Sequence, residues 1–428
     1  MKRTLEIPGI AKPPLHYSQA IRAGDWIFLA GQMATDFRDG IAPDARGRIG
    51  LPLHQSPVKL QSNYIFQSMK GLLEAGGSSL DQMIRIDQFS PTRDFMEPYL
   101  EVRNSVLARA RPASTALQVE RLMLDEALVQ VDGIAIASDG QLQKTALNTD
   151  KVSRPPAGYS LAISAGDLIF ASGATPTDYR SAGPWPAGEG TGVAEEARVD
   201  ANFWFGSEIK KQTAYVLQKL DKYLVAADSG LRNAVKAQAY LADMADHFAF
   251  LEAWRAVMGD SKVALSVVPV KGMSTRGGRV EINMVATRPA AKRTGLCAPG
   301  IAQALCGGAH AVRAGDLLFI SGQMACNDAG PLERSNDPFS LYRSSARVQM
   351  DAILRTTSEI CAAAGGSLKD IVRAQLFYTD LKEVAESIER WKDAFPDHPP
   401  AATFVEVPSP LAVPGCTILA DFVAWLPD

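Results

Sequence analysis

Cysteine is missing from the first 296 residues of this 428-residue chain. The five that follow, Cys297, Cys306, Cys326, Cys361 and Cys416, are odd in number and have no paired short spacings. A disulfide framework and a cysteine-ligated zinc site are therefore not expected, and a reducing cytoplasm is the expected setting. Histidine is equally sparse, with five residues and no ligand-spaced cluster, so no metal is expected. No glycine-rich loop follows a strand and opens a helix, so no phosphate-bearing cofactor is expected either. Excess charge is lacking too. Lys and Arg number 44 against 47 Asp and Glu, a formal net charge of −3, which leaves no basic footprint for nucleic acid or a membrane surface. No apolar run approaches a membrane span. The opening MKRTLEIPGIAKPP carries three cations but not the apolar run of a signal peptide. What is present is ordinary for a globular chain, 46% hydrophobic and 21% charged, at a length that suggests about three domains.

The chain repeats itself. YSQAIRAGDWIFLAGQM from Tyr17, YSLAISAGDLIFASGAT from Tyr159 and GAHAVRAGDLLFISGQM from Gly308 align without gaps. A second block recurs as LLEAGGSSLDQMIRIDQF, YLVAADSGLRNAVKAQAYL and ICAAAGGSLKDIVRAQLFYTDL. A third closes each copy: ASTALQVERL with ALVQVDGIAI, KVALSVVPV with RVEINMVA, and AATFVEVPSP with CTILADFVAW. Three blocks in one order, three times, define three diverged copies of one domain.

Each copy opens with an alternating strand, a glycine turn and an apolar strand, the signature of a hairpin. Apolar residues at helical spacing follow, as in YIFQSMKGLLEAG, then a strand, a second helix and two last strands. The order β-β-α-β-α-β-β predicts an α+β fold with helices on one face of a sheet. Domains are expected over 1–140, 150–290 and 296–428. They are joined by polar, Pro/Gly-bearing linkers without periodicity around 138–156 and 286–300. Long loops after the first hairpin, DFRDGIAPDARGRIGLPLHQ and TDYRSAGPWPAGEGTGVAEEAR, are long enough to suggest a functional role.

The pattern YSQA…AGD…SGQ…AAG.SL.D…PA…V.V resembles the Rid (YjgF-type) enamine/imine deaminase family over nearly all of each copy, the second copy more loosely. The resemblance implies a chorismate-mutase-like fold and, because relatives assemble as trimers with clefts between subunits, an intramolecular pseudo-trimer with up to three clefts. It also implies hydrolysis of an enamine or imine carboxylate to a keto acid and ammonia. That chemistry needs a cation for the carboxylate, a group that moves protons and backbone donors for developing charge. In the family an Arg before the penultimate strand is the anchor, a Glu on the last strand lies near the water, and a Tyr and the SGQ backbone complete the cleft.

Carried over, the Arg position is Ser114 in the first copy and Ala402 in the third, and the Glu position is Gln130 and Leu419. The second copy alone has a charged pair, read as Lys262 and Glu281, and these are the expected catalytic residues. Tyr17 and Tyr159 keep the family tyrosine, which is Gly308 in the third copy. Gly31, Ser172, Gly173, Ser321 and Gly322 are the expected substrate-facing backbone, since glycine within an apolar strand implies a close approach. Arg121, Arg276 and Arg279 are candidate substitute cations, Glu252 and Glu389 candidate cleft residues on the second helix, and His16 and His310 candidates for cleft borders. Cys326 and Cys361 read as small buried apolar groups.

Two functions follow from the resemblance: deamination of a 2-aminoacrylate-like or 2-aminomuconate-like substrate, or, because two clefts lack both family groups, a non-catalytic ligand-binding pseudo-trimer. Ribonuclease chemistry is disfavoured by the absence of a basic surface and of a histidine acid/base pair.

Overall fold

The computed structural model describes the whole chain except residues 8–9, 48–55, 154–156, 180–191, 201, 203–204, 302–307, 333–344 and 428. Parts of both long loops thus lie outside the described residues, as does Cys306.

Local sequence sets each element. The first hairpin of every copy turns on the glycine of AGD, and Gly24, Gly166 and Gly315 have φ of +59°, +58° and +59°, a conformation that costs other residues strain. The long helix Pro57–Ala75 starts behind Ser56, whose hydroxyl accepts from Lys59 N, with Pro57 in its first turn. It buries Ile65, Phe66, Met69, Leu72 and Leu73, a stripe of helical period. Glu208–Val225 and Ser345–Ala363 take the same place in the second and third copies. In each copy a central strand pairs antiparallel with the last strand and parallel with the strand after the second helix. In the first copy these are Met83–Ser90, Gln130–Ile136 and Ala113–Gln118. The connecting helices, Met96–Val106, His247–Met258 and Val384–Ala394, are the crossovers that parallel pairing demands.

Each sheet has one strand more than the repeat pattern indicates. Lys2–Leu5, Lys144–Leu147 and Arg293–Leu296 each pair with the first strand of the following hairpin. Two of these lie in segments read as linkers. They are four-residue, half-exposed edge strands, too short and polar to show periodicity.

The three domains close into a pseudo-trimer. Gly272–Met273 of the second domain extends the edge strand Ala113–Gln118 of the first, and Arg121–Leu122 of the first extends Ala401–Glu406 of the third. Inward-facing residues of all three sheets, among them Phe28, Ile134, Phe170, Val235, Val285, Phe319 and Val372, form one apolar cluster. Beside it lies a buried polar network. Arg373 bonds Asp87 and Asp132 at 2.8 Å each, Arg85 bonds Asp87, and Lys236 pairs with Asp421 at 2.7 Å. Gln238 and Gln375 link it across domains, with Gln238 Nε2 2.6 Å from Gln375 Oε1. Desolvation raises Asp87, yet Arg85 and Arg373 together hold it below the usual carboxylate range. Asp132, with desolvation dominant and Asp87 beside it, is pushed up. Such a network adds little net stability but specifies which surfaces meet.

Candidate functional site

Strand register fixes which residues are equivalent. Ala113, Ala264 and Ala401 pair with Arg85, Lys236 and Arg373 respectively. The family Arg position in the second copy is therefore Leu265, not Lys262. Lys262 is exposed, and its side chain lies beside Gly295 of the third domain. Glu281 is level with Tyr240 and Val268, near the far end of the strand. Six residues at about 3.3 Å each separate the two levels by about 20 Å. The structure does not bring Lys262 and Glu281 together.

Three clefts form between neighbouring domains, each built around the glycine of the SGQ-like segment. A Cβ on Gly31 would lie 2.7 Å from Gln130 Cδ and 2.9 Å from Thr403 Cγ2 of the third domain. On Gly173 it would lie 3.1 Å from Glu281 Cδ, closer still to Oε1, and 3.3 Å from Thr115 Oγ1 of the first domain. On Gly322 it would meet Ser266 of the second domain at 3.1 Å and Leu419 at 3.3 Å. Gln130, Glu281 and Leu419 thus occupy one equivalent position, and only the cleft between the first and second domains holds a carboxyl there.

That cleft is closed by hydrogen bonds across the seam. Ser114 N donates to Ser172 Oγ at 2.9 Å, and Ser172 Oγ donates to Ser160 O. Glu281 is 3% exposed, and its Oε2 has no hydrogen-bond partner among the described residues. Burial drives its carboxyl up to about 8, against the pull of a lysine, Lys219, and of the Ala116 N–H of the first domain. Lys219 rises from the helix Glu208–Val225. Its Nζ donates to Thr177 O at 2.7 Å and Thr175 O at 3.3 Å and lies 4.5 Å above the Tyr179 ring. Desolvation lowers its ammonium to about 7, partly opposed by Glu281 and Asp178. Tyr159 OH bonds Tyr179 OH at 2.8 Å, and the Tyr223 hydroxyl, also buried, has no partner.

The first domain contributes a second buried cation. Arg103 donates to Ser114 Oγ at 3.1 Å and to Ala157 O, next to the tyrosine strand, and borders a cavity of about 10 Å³ with Ser114 and Tyr159. Counting from the paired residues Glu101, Glu252 and Glu389, this helix position is Trp254 in the second copy and Trp391 in the third. Trp391 Nε1 donates to His16 O at 2.8 Å, so Arg103 pins the Tyr159 strand as Trp391 pins the Tyr17 strand.

The other expected residues divide. Tyr17 packs on Phe404 of the third domain at 5.8 Å, and His16 bonds Phe395 O, both at the seam of the third and first domains. Ser321 Oγ donates to Ala309 O, and Gly322 N donates to Leu265 O across the seam of the second and third. His310 accepts from Ala298 N. Glu252 and Glu389 do not line clefts. They are exposed and pair with Lys210 and Arg347 of the neighbouring helix, as Glu101 does with Lys59. Arg121 pairs with Asp125, and Arg279 with Asp246 at 2.5 Å. Cys361 is buried, whereas Cys326 is half-buried. Lys219 and Arg103 were missed because neither lies in a repeated block. Their one signal is that each replaces an uncharged residue, Lys219 standing where Ser68 and Thr356 stand.

Among the described residues no group of three or more His, Cys, Asp and Glu is placed to hold a metal ion, and no helix is long and apolar enough to cross a membrane.

Comparison with known proteins gives the same threefold division. The family model described as Endoribonuclease L-PSP matches residues 10–137, 151–288 and 303–417. A RutC family protein of Pyrococcus horikoshii is 29% identical over 135 residues, 32% of this chain and 98% of its own length. A protein of Acinetobacter baylyi named 3-aminoacrylate deaminase RutC is 29% identical over 97 residues, 23% of this chain and 71% of its own. A 2-iminobutanoate/2-iminopropanoate deaminase of Dermatophagoides farinae is 21% identical over 136 residues, 29% of this chain and 98% of its own. A solved structure from Thermotoga maritima, titled a putative endoribonuclease, is 25% identical and covers 32% of this chain and 99% of its own, with a TM-score of 0.28. With three matches that together span most of its length, the chain belongs to the L-PSP (YjgF/Rid) family and carries the family domain three times.

Proposed function

We propose that this chain is a deaminase that hydrolyses an enamine or imine carboxylate, 2-aminoacrylate-like or 2-aminomuconate-like, to the keto acid and ammonia. We place its working cleft between the first and second domains. The observation that carries this reading is Glu281, a buried carboxyl held up to about 8 beside Gly173 and Tyr159. Near neutral pH such a group is largely protonated, and it can give a proton to the enamine carbon, forming the iminium ion. The resulting carboxylate then takes a proton from water as water adds to the imine carbon. Collapse of the adduct expels ammonia and leaves Glu281 as it began. The deaminases among the relatives support the reaction class. Gln130 and Leu419 cannot perform this exchange, so the other two clefts are assigned no turnover.

The test is ammonia release from 2-iminopropanoate and 2-aminomuconate by the purified full chain and by Glu281→Gln. Loss of about 10²–10⁴-fold in kcat is expected. Glu281→Gln at the wild-type rate would take the chemistry away from Glu281, and no ammonia release by the wild-type chain would leave a non-catalytic ligand-binding pseudo-trimer as the reading.

A further inference from the structure

We propose that Lys219, on the long helix of the second domain, is the cation that anchors the substrate carboxylate, replacing the strand Arg that this chain lacks at all three family positions. The proposal rests on the deaminase reading above. An enamine or imine carboxylate is an anion, and its recognition needs a fixed positive charge. At the family position stand Ser114, Leu265 and Ala402, none of them ionisable. Lys219 is 4% exposed and shares the cleft with Glu281. Among the described residues its hydrogen bonds go to the carbonyls of Thr175 and Thr177, and its Nζ lies over the face of Tyr179. Among the described residues no carboxylate lies within ion-pair distance of it. The carboxyl nearest in effect, Glu281, is itself held in its protonated range, with Oε2 unpartnered.

A buried ammonium with no carboxylate in contact is costly, because charges acting from beyond contact, as Asp178 does, offset its desolvation only in part. A bound carboxylate supplies the missing charge. The rival role, a pin for the loop after the strand Leu168–Ala174, uses the same two carbonyl bonds but gives no preference for an anion. Arg103 is less suited to the task. Its guanidinium is spent on Ser114, Gln88, Asn104 and Ala157, and the cavity beside it, about 10 Å³, has room for little more than a water molecule. Lys, a point charge, does not impose the planar two-pronged grip of Arg. The anchor has therefore moved from the neighbouring domain's strand to the helix of the domain that carries Glu281. Both groups belong to one domain, and the other contributes Thr115 and the backbone N–H of Ala116 at the seam.

The experiment uses the full chain with 2-iminopropanoate as substrate, pyruvate as a carboxylate probe and methyl pyruvate as its uncharged counterpart. Lys219→Met should raise KM and weaken pyruvate binding by at least about tenfold, with kcat changed far less. Lys219→Arg should restore most of the binding, and Lys262→Ala should alter neither quantity. Thermal denaturation of each variant identifies any that do not fold, in which case Lys219→Gln carries the same comparison. Wild-type pyruvate binding in Lys219→Met or Lys219→Gln would overturn the proposal. So would a wild-type protein that does not prefer pyruvate to methyl pyruvate. Glu281→Gln separates the two readings: it should lose turnover and keep pyruvate binding. If it keeps turnover, the role of Glu281 falls, and if the wild type shows none, the deaminase assignment falls, while the response of pyruvate binding to Lys219 still decides the anchor.

Discussion

Adding one methyl group at three equivalent glycines separates the chemistry of the clefts from their packing. In Gly31→Ala the new Cβ meets Gln130 Cδ at 2.7 Å and Thr403 Cγ2 at 2.9 Å, so both must move. In Gly173→Ala it lies against the Glu281 carboxyl, with Cδ at 3.1 Å. The end of that side chain must swing away, leaving the position it holds near Ala116 N–H. In Gly322→Ala the nearest atoms, Ser266 Oγ and Leu419 Cδ1, are at 3.1 and 3.3 Å, a squeeze of a few tenths of an ångström. Overpacking in a dense interior costs about 1–3 kcal/mol, so Gly31→Ala and Gly173→Ala should lose similar stability and Gly322→Ala less. Activity should divide differently. Gly173→Ala alone should lose kcat, by about 10²-fold or more, because only there does the displaced group move protons. Urea denaturation measures the first quantity and ammonia release from 2-iminopropanoate the second. Equal loss of activity in Gly31→Ala and Gly173→Ala, or none in Gly173→Ala, would refute the assignment of the working cleft.

Because Glu281 keeps its proton to about 8 when folded while the unfolded chain releases it near 4.5, its presence should cost stability as pH rises through that window. Glu281→Gln should therefore gain on the wild type by about 1.4 kcal/mol per pH unit between the two values and level off above them; a gain independent of pH in urea titrations would contradict this. Arg373→Met leaves Asp87 and Asp132 buried with less compensation and should cost about 3–5 kcal/mol in urea denaturation, and a loss under about 1 kcal/mol would show the axis network to be dispensable. Glu252→Ala breaks an exposed pair with Lys210, so urea denaturation should show no loss of stability and kcat/KM should change by less than about twofold, a larger kinetic effect placing Glu252 back in a cleft.

The architecture was legible because it rests on short-range signals repeated three times: a glycine turn, an apolar strand and helical stripes such as Ile65, Phe66, Met69, Leu72 and Leu73. The outer strands escaped notice, although KRTL, KTAL and RTGL form a fourth repeated block once their role is known. Glu281 stands out in the sequence because it lies in the third block at a position counted from its strand. Lys262 was mistaken for the anchor because the proline that marks the strand entry, Pro112 in the first copy and Pro400 in the third, is Val263 in the second. Without it the comparison slid by three residues, and only the pairing of Ala264 with Lys236 corrects it. Lys219 and Arg103 lie on helices, distant in sequence from the groups they meet. Their cleft exists only when two domains dock.

The axis network also bears on how such a chain can change over time. The first copy brings two carboxylates and one guanidinium to the axis, the second one ammonium and two amides, and the third one of each charge. The mixed set balances, as three of the third copy would, but a set built from the first or the second copy alone does not. Three separate chains of the first copy would gather six buried carboxylates against three cations, and three of the second would gather three cations with no counter-charge. Neither copy could return to life as a stand-alone subunit without several simultaneous reversions. One chain carrying all three copies can spread charge among them in a way that three identical subunits of the first or the second copy cannot.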